Sequence, residues 1–279
     1  MRQARILRLA SGGVLHVAGP EAGPPALLLH GVGGGAWSWS PQRDALATHR
    51  RTYVWEARGH GVARVVADAG LSDYYIDATE ALAAVVACDG PAFVVGHSMG
   101  GLLALALAAE RPTQTCGLVL VDPVYASDGG THLSGPVGRI ARKLMEPLVA
   151  SMMRDGVLAR TLARAIFAQS FVDRDARDAA WLGQRTQVPT EYPKMMYEAF
   201  DGPTGFPSRA FARELSVPTL LAEPRSTRGP RFPRLVAELE PLGERFRYIT
   251  LSGGHYLQLD RSAARVTRAI DEFLGRWSR

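Results

Sequence analysis

The apolar positions of this chain fall into short continuous blocks rather than alternating ones. Residues 26–30, 52–56, 92–96, 118–122, 218–223 and 246–251 each read as a strand that is apolar along most of its length. Runs of this kind belong to strands covered on both faces, as in a parallel sheet flanked by helices. Helical stretches lie between them, at 73–87 (with Ser72 as N-cap), 99–110, 232–239 and 262–277. Ahead of the first block, residues 5–9 and 14–18 flank Ser11-Gly12-Gly13 and read as an opening β-hairpin. Alternation of strand and helix predicts an α/β fold with a mostly parallel sheet.

The alternation pauses from about 124 to 215, where 137–151 and 156–169 carry helical patterns and no strand stands out. We therefore expect a core made of residues 1–123 and 216–279. A helical cap, 124–215, would be inserted after the sixth strand. Ligands of open α/β sheets bind outside the carboxyl ends of the strands, so such an insertion is placed to act as a lid.

Composition narrows the partners. The 279 residues are 47% hydrophobic and 21% charged, with a net charge of +5. The excess comes from scattered arginines, not from a basic stripe with interleaved aromatics, so no nucleic-acid partner is expected. No apolar run approaches the roughly 18 residues that cross a bilayer. Arg2, Arg5 and Arg8 interrupt any apolar leader. The expectation is a cytoplasmic protein with no membrane partner, acting on a small molecule. Cys88 and Cys116 match no metal or redox spacing and read as buried free thiols. No metal cluster or convincing cofactor motif is found.

The candidate chemistry starts at Gly96-His97-Ser98-Met99-Gly100, a G-x-S-x-G turn between an expected strand and an expected helix. A serine on so tight a turn takes a strained backbone, and the residues two before and two after it must carry no side chain. The hydroxyl is then exposed at a helix N-terminus, where the Met99 amide and the helix dipole stabilise negative charge. A glycine-rich connector without function is the bland alternative. Among seven histidines, His255 lies in the loop between the last strand and the last helix, where a base has the freedom to reach the serine.

These motifs together resemble the α/β-hydrolase superfamily. His30-Gly31-Val32-Gly33 resembles its oxyanion loop after the third strand, and Arg58-Gly59-His60-Gly61 its turn after the fourth. Gly253-Gly254-His255 resembles the loop of its catalytic histidine. The resemblance covers the chain except the insertion. It implies Ser98 as nucleophile, His255 as general base, and the Val32 and Met99 amides as oxyanion hole.

The family's acid usually follows the strand at 218–223. Here that loop reads Pro224-Arg225-Ser226-Thr227-Arg228-Gly229-Pro230, without a carboxylate. Two substitutes exist: Asp122, ending the strand beside that of the serine, and Glu223, a few residues short of the usual site. Asp122 is preferred, since some family members carry their acid there; a structural Asp at the entry to the insertion is its plain alternative.

Gly31-Val32-Gly33-Gly34-Gly35-Ala36 also mimics a dinucleotide fingerprint, with Glu56 at a later strand end. The preceding hairpin and the second glycine-rich turn around a serine count against that reading. The serine also argues against relatives that use an aspartate in the turn, namely epoxide hydrolases and dehalogenases. What is expected is hydrolysis of a carboxylic ester or lactone of a small, largely apolar or aromatic substrate through an acyl-enzyme on Ser98. A carbon–carbon hydrolase of dioxo acids, with Arg185 or Lys194 holding a carboxylate, and a hydrolase-fold ligand receptor are the alternatives. Trp37 and Tyr192 are candidate pocket residues. Phe167, Phe171, Trp181 and Trp39 could join them, although most such residues belong to a core.

Overall fold

The computed structural model describes residues 5–63, 69–125, 167–184, 207–226 and 230–278. The opening hairpin forms as β1 (Arg5–Arg8) and β2 (Val14–Ala18). The apolar blocks form β3 (Ala26–Leu29), β4 (Thr52–Glu56), β5 (Ala92–His97), β6 (Thr115–Val121), β7 (Thr219–Pro224) and β8 (Phe246–Leu251). They make one sheet in the order β1-β2-β4-β3-β5-β6-β7-β8, antiparallel through β1, β2 and β4 and parallel from β4 onward. This order places β5 centrally, with β3 and β6 as its neighbours.

The continuous apolar runs have a period of two once the sheet exists. Leu27, Leu29 and Val94 face one core, while Ala26, Leu28, Phe93 and Val95 face the other. On the first face lie α2 (Leu71–Asp89) and α3 (Met99–Glu110). On the second, Val266, Ile270, Phe273 and Leu274 of α6 (Ala263–Arg276) pack with Leu46 of α1 (Ser40–Leu46). Helix α3 is buried along nearly its whole length, which its sequence Met-Gly-Gly-Leu-Leu-Ala-Leu-Ala-Leu-Ala-Ala allows because no face carries a charge. Truncating one of its fully buried leucines, such as Leu103, costs about 2–5 kcal/mol by this kind of cavity formation. This interior anchoring holds the N-terminus of α3, and with it Ser98, rigidly above the sheet.

Four local expectations shift. Helix α2 begins at Leu71, so Ser72 is inside its first turn; Asp73 Oδ2 instead accepts from the Gly70 amide at 2.8 Å. Strand β6 begins at Thr115, three residues earlier than its apolar run, because it pairs with β5 from Ala92 onward. Cys88 is exposed and Cys116 half-buried, so neither is the core thiol expected; both are free. Trp39, a possible pocket residue by sequence, is fully buried in the second core.

Between β6 and β7 the described residues include the helices α4 (Arg174–Gln184) and α5 (Ser208–Glu214). Phe211, Ala212 and Leu215 join the α3 core. Phe167, Phe171 and Ala180 form a smaller cluster with Tyr256. Tyr192, Arg185, Lys194 and the helical pattern at 137–151 lie outside the described residues. Among the described residues no helix is long and apolar enough to cross a membrane.

Candidate active site

Ser98 stands between β5 and α3 with φ 54° and ψ −119°, a conformation L-residues rarely take. The glycines around it are needed for close approach: a Cβ on Gly96 would lie 2.2 Å from the Gly100 carbonyl oxygen. The Ser98 carbonyl accepts from the amides of Gly101 (3.0 Å), Leu102 (3.2 Å) and Val124 (2.9 Å), and its own amide donates to Val121 at 3.2 Å. The turn is thus fastened to the helix it starts and to the end of β6.

Three expected residues meet here. His255 Nε2 lies 3.0 Å from Ser98 Oγ, and His255 Nδ1 lies 2.5 Å from Asp122 Oδ2. A carboxylate only accepts, so Nδ1 carries a hydrogen and Nε2 is left to accept from the serine hydroxyl. Asp122 is fully buried, whereas the His255 side chain is 29% exposed. Glu223 is equally buried but is turned elsewhere: it accepts from the Arg231 amide at 2.8 Å and from the Tyr248 hydroxyl. That hydroxyl is held protonated to unusually high pH by burial and by the carboxylate it serves. Of the two candidate carboxylates, only Asp122 bonds the imidazole.

The segments carrying Val32 and Met99 flank the serine. Gly31 packs so closely that a Cβ on it would lie 2.8 Å from Ser98 Cβ. The Met99 amide belongs to the first turn of α3, whose N–H groups have no acceptor within the helix.

Two histidines that sequence reading treated as motif members support the 30–34 loop from below. His30 Nδ1 donates to the Gly31 carbonyl (2.7 Å) while its Nε2 accepts from the Ala57 amide (3.1 Å). His60 Nδ1 donates to the Arg58 carbonyl (3.0 Å) and its Nε2 accepts from the Gly33 amide (3.3 Å). Both rings therefore use one nitrogen as donor and one as acceptor, which only the neutral form can do. Burial lowers both, His60 to about 3, with His30 adding to the effect there. Glu56, the supposed ribose acid of the dinucleotide mimic, instead accepts from the amides of Ala36 and Val62 (both 3.0 Å) and pairs with His16 (2.9 Å). Burial alone would raise its carboxyl, but these bonds outweigh burial and hold it at about 2.

The His255 loop is held on three sides. The His255 carbonyl accepts from His97 Nε2 at 2.9 Å. The Tyr256 amide donates to the Ser170 carbonyl at 3.3 Å. Asp260 then accepts four backbone amides, from Val172 (2.9 Å), Asp173 (2.9 Å), Gly254 (2.6 Å) and Arg261 (2.8 Å). One buried carboxylate thus ties residues 172–173 to the loop of the histidine. Its burial works against ionisation, yet the four donors overcome it and lower the Asp260 carboxyl below its ordinary range. No motif signalled this; the residue's place five positions after His255 was its one available hint.

Trp37 is half-buried and sits against Phe167 (6.4 Å between ring centroids) and Tyr256 (6.2 Å). Tyr256 stacks on Phe171 at 5.0 Å with an interplanar angle of 8°. Trp37, Phe167, Phe171 and Trp181 therefore form an aromatic contact between the region after β6 and the core beside His255.

With sheet, turn and site in place, the comparisons agree on the class. The chain belongs to the alpha/beta hydrolase family, whose model matches residues 26–269, and it is an enzyme of the α/β-hydrolase type. It is 26% identical over 212 residues to a protein of Azorhizobium caulinodans described as a carbamate hydrolase, RutD, covering 72% of each chain. Over 123 residues it is 30% identical to the (E)-2-((N-methylformamido)methylene)succinate hydrolase of Acinetobacter baylyi, covering 44% of this chain and 46% of that one. In fold it is similar to a thermophilic esterase from Thermogutta terrifontis, with a TM-score of 0.76 and 20% identity over 99% of this chain and 100% of that one.

Proposed function

We propose that the chain hydrolyses a carboxylic ester or lactone of a small, largely apolar or aromatic substrate through an acyl-enzyme on Ser98. The observation that carries this reading is His255 standing within hydrogen-bond distance of both the Ser98 hydroxyl and the Asp122 carboxylate. In this mechanism Ser98 Oγ attacks the carbonyl carbon as its proton passes to His255 Nε2. Asp122 holds the imidazole in the tautomer that accepts this proton and stabilises the imidazolium formed. The carbonyl oxygen, now negative, accepts from the Val32 and Met99 amides, which the helix N-terminus assists. His255 gives its proton to the leaving alcohol. A water molecule, deprotonated by the same nitrogen, then releases the acid and regenerates Ser98.

The reading is supported by a relative described as a hydrolase of carbamates, whose carbonyl carbon also carries a heteroatom leaving group. The aromatic contact of Trp37, Phe167 and Tyr256 beside His255 supports an apolar or aromatic acyl or alcohol part.

The test is a panel of p-nitrophenyl esters and aryl lactones assayed on wild type and Ser98→Ala side by side. Repeated turnover by wild type and a loss of about 10³-fold or more in the variant is expected. Absence of turnover on the whole panel would overturn the ester and lactone reading and leave the carbon–carbon hydrolase reading in its place.

A further inference from the structure

The loop after β7, where the family usually presents its acid, delivers a cation instead. Arg231 Nη1 lies 2.9 Å from Asp122 Oδ2, the same oxygen that His255 Nδ1 contacts. The Arg231 backbone amide meanwhile donates to Glu223 at 2.8 Å. Its guanidinium also rests over the Phe232 ring at 5.7 Å, and its side chain is 49% exposed. The reason for a cation here lies in the sheet. Val121 pairs with Ala222 in the β6–β7 register, so Asp122 and Glu223 leave adjacent strand ends side by side, both fully buried. Among the described residues, Asp122 Oδ1 and Glu223 Oε2 have no hydrogen-bond partner. Two neighbouring buried carboxylates repel, and a cation beside them offsets that charge.

We propose that Arg231 is a positioning residue that holds Asp122 Oδ2 against His255 beside Glu223, and that its charge sets the pH range over which His255 acts as base. This rests on the Ser98–His255–Asp122 reading above. The groups facing His255 are Ser98, Asp122, the neutral His97 ring (4.6 Å between centroids) and Tyr256 (5.7 Å), while Asp260 holds the adjacent Gly254 amide. Glu223 and Tyr248 stand behind Arg231. Among these described neighbours, Arg231 is the cation. Its charge opposes formation of the imidazolium, so removing it favours the protonated histidine and narrows activity on the acid side. Half exposure moderates the effect through solvent screening.

The experiment is the pH profile of kcat/KM for p-nitrophenyl butyrate at low salt, for wild type, Arg231→Gln, Arg231→Ala and Arg231→Lys, each checked for folding by circular dichroism. In the Gln and Ala variants the acid limb is expected to move up by about 0.5–1 pH unit, about 3- to 10-fold less activity one unit below the wild-type midpoint. The Lys variant is expected to restore the wild-type limb, which a purely structural role would not require. An acid limb in Arg231→Gln that superposes on wild type overturns the proposal; should Arg231→Ala not fold, the Gln–Lys pair decides alone. Hydrolysis by Ser98→Ala at the wild-type rate would instead overturn the underlying reaction, so the two failures are distinct.

Discussion

Ser98 and Asp122 are the two non-glycine residues of the described chain that adopt positive φ, at 54° and 40°. Each follows the last residue of a strand, and the strands are neighbours. Such conformations cost on the order of 1–3 kcal/mol each and persist only where the surroundings over-determine them. Here the surroundings are mutual: the Ser98 amide bonds Val121, the Val124 amide bonds Ser98, and the Asp122 amide bonds Ala222 at 2.8 Å. The strain turns the hydroxyl and the carboxylate out of the sheet toward one imidazole.

This arrangement gives the two carboxylates different partners, His255 for Asp122 and Tyr248 with the Arg231 amide for Glu223. In the proposed mechanism Asp122→Asn keeps the shape but loses the charge facing the imidazolium, and kcat on p-nitrophenyl butyrate is expected to fall by about 10³–10⁴-fold. Glu223→Gln keeps an oxygen for Tyr248 and the Arg231 amide and is expected to cost under about tenfold. Steady-state kinetics on the two amides checks the difference, and comparable losses would contradict it.

Gly31→Ala tests the loop that flanks the serine. Its Cβ would meet Ser98 Cβ at 2.8 Å, so the loop must withdraw and take the Val32 amide with it. In the proposed mechanism that amide is one oxyanion donor, and the loss of one such donor is worth about 10²–10³ in kcat. We expect a loss in that range with KM little changed, and a thermal melt close to wild type.

The neutral histidines under the same loop make the fold acid-sensitive. His60 titrates near 6.5 when unfolded but only at about 3 in the folded chain, so between these values the unfolded state binds more protons. Stability from keeping this ring neutral is complete above pH 6.5 and is lost as pH falls below it. Each such group contributes a slope of up to about 1.4 kcal/mol per pH unit. Glu56, held at about 2 against 4.5, adds a second loss of the same sign below pH 4.5. Urea unfolding at pH 7.5, 6.0 and 5.0 should show a falling midpoint, with a shallower fall in His60→Gln. A midpoint flat from 7.5 to 5.0 would exclude a neutral buried pair.

Asp260→Asn replaces an acceptor of four amides by a side chain that must present an N–H to two of them. A buried polar group so mismatched costs about 1–3 kcal/mol. Chemical denaturation should register that loss. Because Gly254 is among the donors, kcat should fall as well, well below the unfolding temperature, while Ser98 still reacts with a fluorophosphonate.

Much of the fold was legible in one dimension because its signals are local. A buried parallel strand needs a continuous apolar run, and a strand-to-helix nucleophile turn needs glycines at fixed offsets from the serine; both requirements are met within a few residues. The class of the fold, the positions of Ser98 and His255, and the absence of an acid after β7 followed from such patterns. The choice between Asp122 and Glu223 did not, because both end apolar strands and their side-chain directions depend on backbone dihedrals and on pairing between β6 and β7. Likewise Arg231 meets Asp122 across 109 positions, and Asp260 meets Val172 across 88. No periodicity spans such separations. Only the packed sheet, which brings distant strand ends and loops to one edge, decides which charges become neighbours.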